Sequence, residues 1–216
     1  MSGWVACLDA SVLIPMPTAD TLLRFAHAGL YRPVWSDQIL VEVKRNLVAG
    51  WESVTAERAE RRIAMMRAAF PEALVPSPGP VPAVPVAVHP KDRHVVTTAV
   101  VARADVIVTD NVRHFARREL AGDIGLLVQT ANEFLVDRWA VDRRAAAAAI
   151  ADHIAALGDP PRSRQEQLEA FRSAGLGTFA RVLESDWNLV EEAASRLRDR
   201  RTDPPTGLAE PPSRRP

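Results

Sequence analysis

Two apolar runs, each closed by an aspartate, constrain this chain more than any other feature. Val5-Ala6-Cys7-Leu8 leads into Asp9, and Val106-Ile107-Val108-Thr109 leads into Asp110. Short apolar runs without alternation are the pattern of strands buried on both faces, as in parallel sheets covered by helices. Ligands of such sheets bind beyond the carboxyl ends of the strands. Each of the two strands therefore carries an acid to the edge where chemistry takes place.

Two further acids sit in helical contexts. Glu42 lies within Gln38-Ile39-Leu40-Val41-Glu42-Val43, and Asp92 opens the segment Arg93 to Ala102. Convergence of Asp9, Glu42, Asp92 and Asp110 would crowd four negative charges into one space, which requires either protonation or a divalent cation. An all-oxygen donor set suits magnesium or manganese. Singly, the acids have plainer uses. Asp9 could cap a helix, Asp92 could be a first-turn acid favoured by the helix dipole, and Glu42 could be a solvated helix residue. For Asp9 and Asp110 the ligand reading leads even singly, for Asp92 only the constellation favours it, and Glu42 is the weakest member.

Composition sets the bounds. The chain has 216 residues, 47% of them hydrophobic, enough for one full domain and a smaller appendage. Its 27 basic and 27 acidic residues give no global field that would attract nucleic acid, so RNA affinity would have to come from a local patch. A single cysteine, Cys7, excludes an internal disulfide and a cysteine zinc cluster, and reads as a small buried strand residue. His94 reads as a packing or surface residue, and His27, His89, His114 and His153 show no metal-ligand spacing, so no zinc site is expected. No apolar stretch approaches a membrane span and no leader pattern is evident, so the expected location is cytoplasmic.

Along the chain, strands alternate with helices up to about residue 136. A helix is expected after Thr18-Ala19-Asp20, ending near Gly29. The strand Tyr31 to Trp35 follows, then a Ser36-Asp37 cap for the Glu42 helix and an amphipathic helix from Thr55 to Phe70. Six prolines between Pro76 and Pro90 predict an extended loop. The Asp92 helix, the Val106 strand, a short helix around 112–118 and the strand Gly125 to Val128 complete an expected sheet. From residue 137 the strand signal stops. An alanine-rich helix from Ala140 to Leu157 ending at Gly158, a capping box at Ser163 to Glu166 and glycines at 175 and 177 predict a helical extension over 137–201. Residues 202–216, with five prolines, are expected to form a disordered tail.

The order Leu8-Asp9-Ala10-Ser11, a helical Glu42, Lys91-Asp92-Arg93-His94 and Val108-Thr109-Asp110-Asn111 with Phe115 after it resembles the PIN-domain nucleases. Within them it is most similar to the VapC-type toxin ribonucleases of toxin-antitoxin pairs. The likeness covers roughly residues 4–136. It implies a PIN-like three-layer α/β/α sandwich with a mostly parallel central sheet over residues 1–136, followed by the C-terminal α-helical extension.

The resemblance further implies a metal-dependent endoribonuclease that leaves a 5′ phosphate. Asp9 and Asp92 would anchor Mg2+ or Mn2+, and Asp110 and Glu42 would complete the set. Ser11, Thr109 and Asn111 would orient carboxylates or the attacking water. Lys44, Arg45, Arg93 and Arg113, with Arg117 and Arg118, are candidates for RNA phosphates, and Trp35 and Trp51 for base stacking or core packing. A small antitoxin would occupy a groove bordered by the Glu42 and Thr55–Phe70 helices, and the extension would serve that partner, a homodimer contact or RNA selection. The alternative within the same likeness is a non-catalytic module that binds or processes RNA. An aspartate-nucleophile phosphatase would need an acid where Ser11 stands, and a dinucleotide enzyme would need glycines after the first strand.

Overall fold

The computed structural model describes residues 3–50, 54–76, 87–157 and 163–202. Its centre is a strand pairing that the two apolar runs make possible. Strand β1 (Val5–Leu8) lies parallel to β4 (Val106–Val108), with Leu8 opposite Val108. All seven residues of the two strands are buried. On its other side β1 pairs with β2 (Arg32–Ser36), which pairs with the two-residue β3 (Leu74–Val75), while β5 (Leu127–Gln129) flanks β4. The order is β3-β2-β1-β4-β5 and every pairing is parallel. The chain thus builds outward from β1 on one side, then returns to build on the other. The switch point falls between the carboxyl ends of β1 and β4.

Helices α1 (Ala10–Leu13), α2 (Met16–His27), α3 (Asp37–Gly50), α4 (Ala56–Ala69), α5 (Arg93–Val101), α6 (Arg117–Ile124) and α7 (Ala131–Val141) flank the sheet in the α/β/α manner. α5 packs across β1, β2 and β4, and α7 against β5. The caps follow the local chemistry. Ser36 Oγ accepts from Ile39 N at 3.4 Å, and Thr55 Oγ1 from Arg58 N at 3.3 Å. Gly29 takes φ +77 just past the end of α2, where a left-handed residue closes the last turn.

Three local readings change. The second helix begins at Met16 rather than after Asp20, with Pro17 in its first turn, where a missing N–H costs nothing. β3 has too little apolar sequence to stand out beside the prolines. The alanine-rich stretch is two helices, because the Asp142 carboxylate accepts from Arg144 N and Ala145 N and starts α8 (Arg143–Ala156) afresh. The expected loop lies mostly within 77–86, and Gly158, Trp51 and the tail beyond residue 202 also fall outside the described residues.

α9 (Arg164–Ser173) opens on the expected capping box, and α10 (Gly177–Ser185) and α11 (Trp187–Thr202) follow. α7 runs through residue 137 without interruption, and the buried residues of α8 to α11 belong to the same continuous core as the sheet. Phe179 of α10 sits edge-on to Phe25 of α2, Trp139 of α7 and Phe171 of α9 at centroid distances of 5.9, 6.1 and 5.6 Å.

Charged groups add a second tie between α2 and α8, in which Asp20 meets His153 and Arg24 meets Asp152. Partial burial alone would raise the Asp20 carboxyl. Hydrogen bonds and charges from His153 and Arg24 outweigh it and hold the group below the usual carboxylate range. A depressed folded value contributes stability above the unfolded carboxylate value and loses it as pH falls through the folded one. Asp20→Asn is therefore expected to lower urea-unfolding stability near neutral pH by roughly 1–2 kcal/mol, with the difference from wild type closing on acidification.

Candidate metal centre

Asp9 follows β1 at the N-cap of α1, 2% exposed, and its carboxylate is fully engaged. Oδ1 accepts from Ala10 N at 2.7 Å, and Oδ2 accepts from the hydroxyls of Ser11 and Thr109, each at 2.7 Å. The two hydroxyls stand 3.2 Å apart and each takes a backbone N–H, Ser11 Oγ from Asp110 and Thr109 Oγ1 from Asn111, both at 3.1 Å. Both hydroxyls are thus hydrogen-bonded to the Asp9 carboxylate. The backbone of Asn111, rather than its amide, joins the network through its N–H.

Asp110 lies across the strand pair from Asp9. It is partly exposed, and its Oδ1 accepts from Ala131 N, the first residue of α7, at 3.2 Å. Partial desolvation raises its carboxyl above the ordinary aspartate range. The Ala131 hydrogen bond opposes this and the charge of Asp9 adds to it. Glu42 projects from α3 with its side chain 25% exposed. Partial burial raises its carboxyl, Asp9 and Asp92 push the same way, and His94 and Arg45 oppose. His94 Nδ1 is 2.8 Å from Lys91 O, which directs Nε2 toward Glu42 Oε2 at 3.5 Å, where it has no hydrogen-bond partner.

Asp92 occupies the N-cap position of α5 yet makes no capping bond, so the plain capping role does not describe it. Its Oδ2 instead faces His114 Nδ1 at 3.1 Å and His89 Nδ1 at 3.4 Å. The ligand atoms of these three residues all lie within 4.8 Å of one another. Histidines read from the sequence as lacking ligand spacing are thus brought together. One comes from the turn before α5 and the other from the 3-10 turn after Asp110, and their separation in sequence hid them.

The expected phosphate contacts are mixed. Lys44 pairs with Glu60 at 3.0 Å, Arg45 with Glu42 at 3.9 Å, and Arg93 Nε donates to Val88 O at 3.4 Å. Arg113 is exposed on the turn before His114, whereas Arg117 is held by Val128 O at 2.8 Å and Glu133 at 2.7 Å. Trp35 is fully buried against Phe70 and serves the core, not base stacking. Cys7 is buried too, and desolvation followed by the nearby Asp9 charge raises its thiol, which makes it inert. Among the described residues no helix is long and apolar enough to cross a membrane.

Residues 131–185 match the family model described as the VapC50 C-terminal domain, which begins at the first residue of α7. A protein of Mycobacterium tuberculosis named "Putative ribonuclease VapC50" is 37% identical over 82 residues, which is 38% of this chain and 48% of that protein. The chain thus spans about half the length of that curated relative. No solved structure matches it. The parallel sheet with acids at its carboxyl edge, followed by a segment that matches the VapC50 C-terminal domain, makes the chain similar to the VapC-type PIN-domain proteins.

Proposed function

We propose that the protein is a metal-dependent endoribonuclease that hydrolyses RNA phosphodiester bonds, and that it is the toxin of a toxin-antitoxin pair. One observation carries this reading. Asp9 and Asp110 stand at the ends of two adjacent parallel strands, and Glu42 is near enough to feel both Asp9 and Asp92. The donor set suits a hard cation because it is all oxygen; burial first, with the Asp9 charge adding, pushes Glu42 and Asp110 toward protonation, and a cation there would oppose that push. Asp9, Glu42, Asp92 and Asp110 would hold it. Magnesium or manganese bound there supplies the charge that activates a water and stabilises the leaving oxygen in phosphodiester hydrolysis.

The chain's own groups do the positioning. Ser11 and Thr109 fix Asp9 Oδ2, Ala131 N orients Asp110, and Arg45 and His94 flank Glu42. The Lys44–Glu60 pair is exposed and worth about 0–1 kcal/mol, so an RNA phosphate can take Lys44 at small cost. Arg45, Arg93 and Arg113 flank the acids in the same way. An antitoxin segment would lie in the apolar groove of about 670 Å3 between α3, α4 and α9, lined by Ile14, Leu47, Val54, Ala59 and Ala170.

Cleavage of a mixed RNA pool by the purified protein tests the reading. Cutting is expected with magnesium or manganese and not with EDTA. Cutting that persists in EDTA would overturn the metal requirement, and RNA binding without cutting at saturating metal would favour a non-catalytic RNA module.

A further inference from the structure

We propose that His89, Asp92 and His114 form a second cation site, one that takes a borderline divalent transition-metal ion such as zinc and shares Asp92 with the carboxylate centre. Both separations from Asp92 fit. Ligands held about 2.0–2.1 Å from a common ion stand roughly 3.0–3.4 Å from one another, and Asp92 Oδ2 lies 3.1 Å from His114 Nδ1 and 3.4 Å from His89 Nδ1. The site is also held in shape without an ion. His89 N donates to His114 O, Asp92 N to His89 O and His114 N to Asn111 O, each at 2.9 Å, and the two imidazoles stack with centroids 4.9 Å apart.

In the tautomer that accepts from Lys91 N at 3.3 Å, His89 Nδ1 carries its one lone pair; an ion at the site takes that lone pair in place of the Lys91 N–H and sits against the Asp92 carboxylate oxygen. The side chains are 44% exposed for His89, 32% for His114 and 14% for Asp92, which leaves room for exchangeable waters.

Two imidazoles and one carboxylate make a donor set suited to zinc, iron, cobalt or nickel and poorly suited to magnesium. The two sites therefore select different ions but draw on one aspartate. An ion at the histidines takes Asp92 Oδ2 and opposes hard-cation binding, so zinc restrains the nuclease. This last consequence rests on the proposed function; the cation site itself does not.

Cobalt(II) titration of the full chain, followed by its visible absorption, reads the site even in a preparation that cuts no RNA, so the two readings fail separately. Wild type is expected to bind one equivalent at this site, and Asp110→Asn to keep it. His89→Ala and His114→Ala should weaken it by more than the roughly 10–100-fold that loss of an outer-shell partner causes. His114→Gln, checked by circular dichroism, replaces any alanine variant that misfolds. Cobalt affinity unchanged in both histidine variants would overturn the site. Zinc inhibition of magnesium-dependent cleavage should be lost in the His89/His114 double variant, and its retention there would overturn the sharing of Asp92.

Discussion

Asp110→Asn is expected to lower metal-dependent RNA cleavage by about 10³-fold, which corresponds to roughly 4 kcal/mol of transition-state stabilisation, while leaving the metal-free fold as stable as before or more so. Burial and the charge of Asp9 already push this carboxyl toward its neutral form, so a neutral amide relieves repulsion in the absence of a cation. Its carbonyl oxygen can still accept from Ala131 N. Single-turnover cleavage and thermal melting in EDTA, measured on one preparation, check both halves. A variant that cuts at the wild-type rate would remove Asp110 from the centre.

Asp9→Asn is the instructive contrast. Asp9 Oδ2 receives two hydroxyl donors at 2.7 Å in a buried position. An NH2 group there meets donors with a donor. Ser11 and Thr109 already accept backbone N–H groups, so their hydroxyl hydrogens lose the acceptor they were aimed at.

Phe179→Ala is expected to destabilise the whole protein by about 3–5 kcal/mol in one cooperative transition. The ring is fully buried and touches aromatic partners on α2, α7 and α9 at once. If the helical C-terminal part were an independent unit, denaturant unfolding followed separately by near-ultraviolet and far-ultraviolet circular dichroism would resolve two transitions, with only one displaced by the substitution. Coincident curves shifted together would show a single cooperative core.

The parts of this architecture written plainly in the sequence are those set by local chemistry. Two apolar runs must be buried, so their closing acids, Asp9 and Asp110, had to stand at strand ends. Ser163 and Glu166 had to open a helix. Glu42 and Asp92 were legible only as members of a set, because an acid on a helix has many uses. What escaped was decided by distant partners. β3 is a strand because β2 offers it an edge, with Trp35 opposite Leu74 and Ser36 opposite Val75. The histidines meet because Asp92 and His114, 22 residues apart, are folded to the same edge. Periodicity carries no trace of such meetings.

Ala131 gives its N–H to Asp110, and Ala131 is also where the match to the VapC50 C-terminal domain begins. The helical part thus reaches into the proposed centre. Its first peptide group holds a carboxylate of the proposed centre, so grafting this extension onto another sheet, or trimming it away at residue 130, would leave that carboxylate without its anchor.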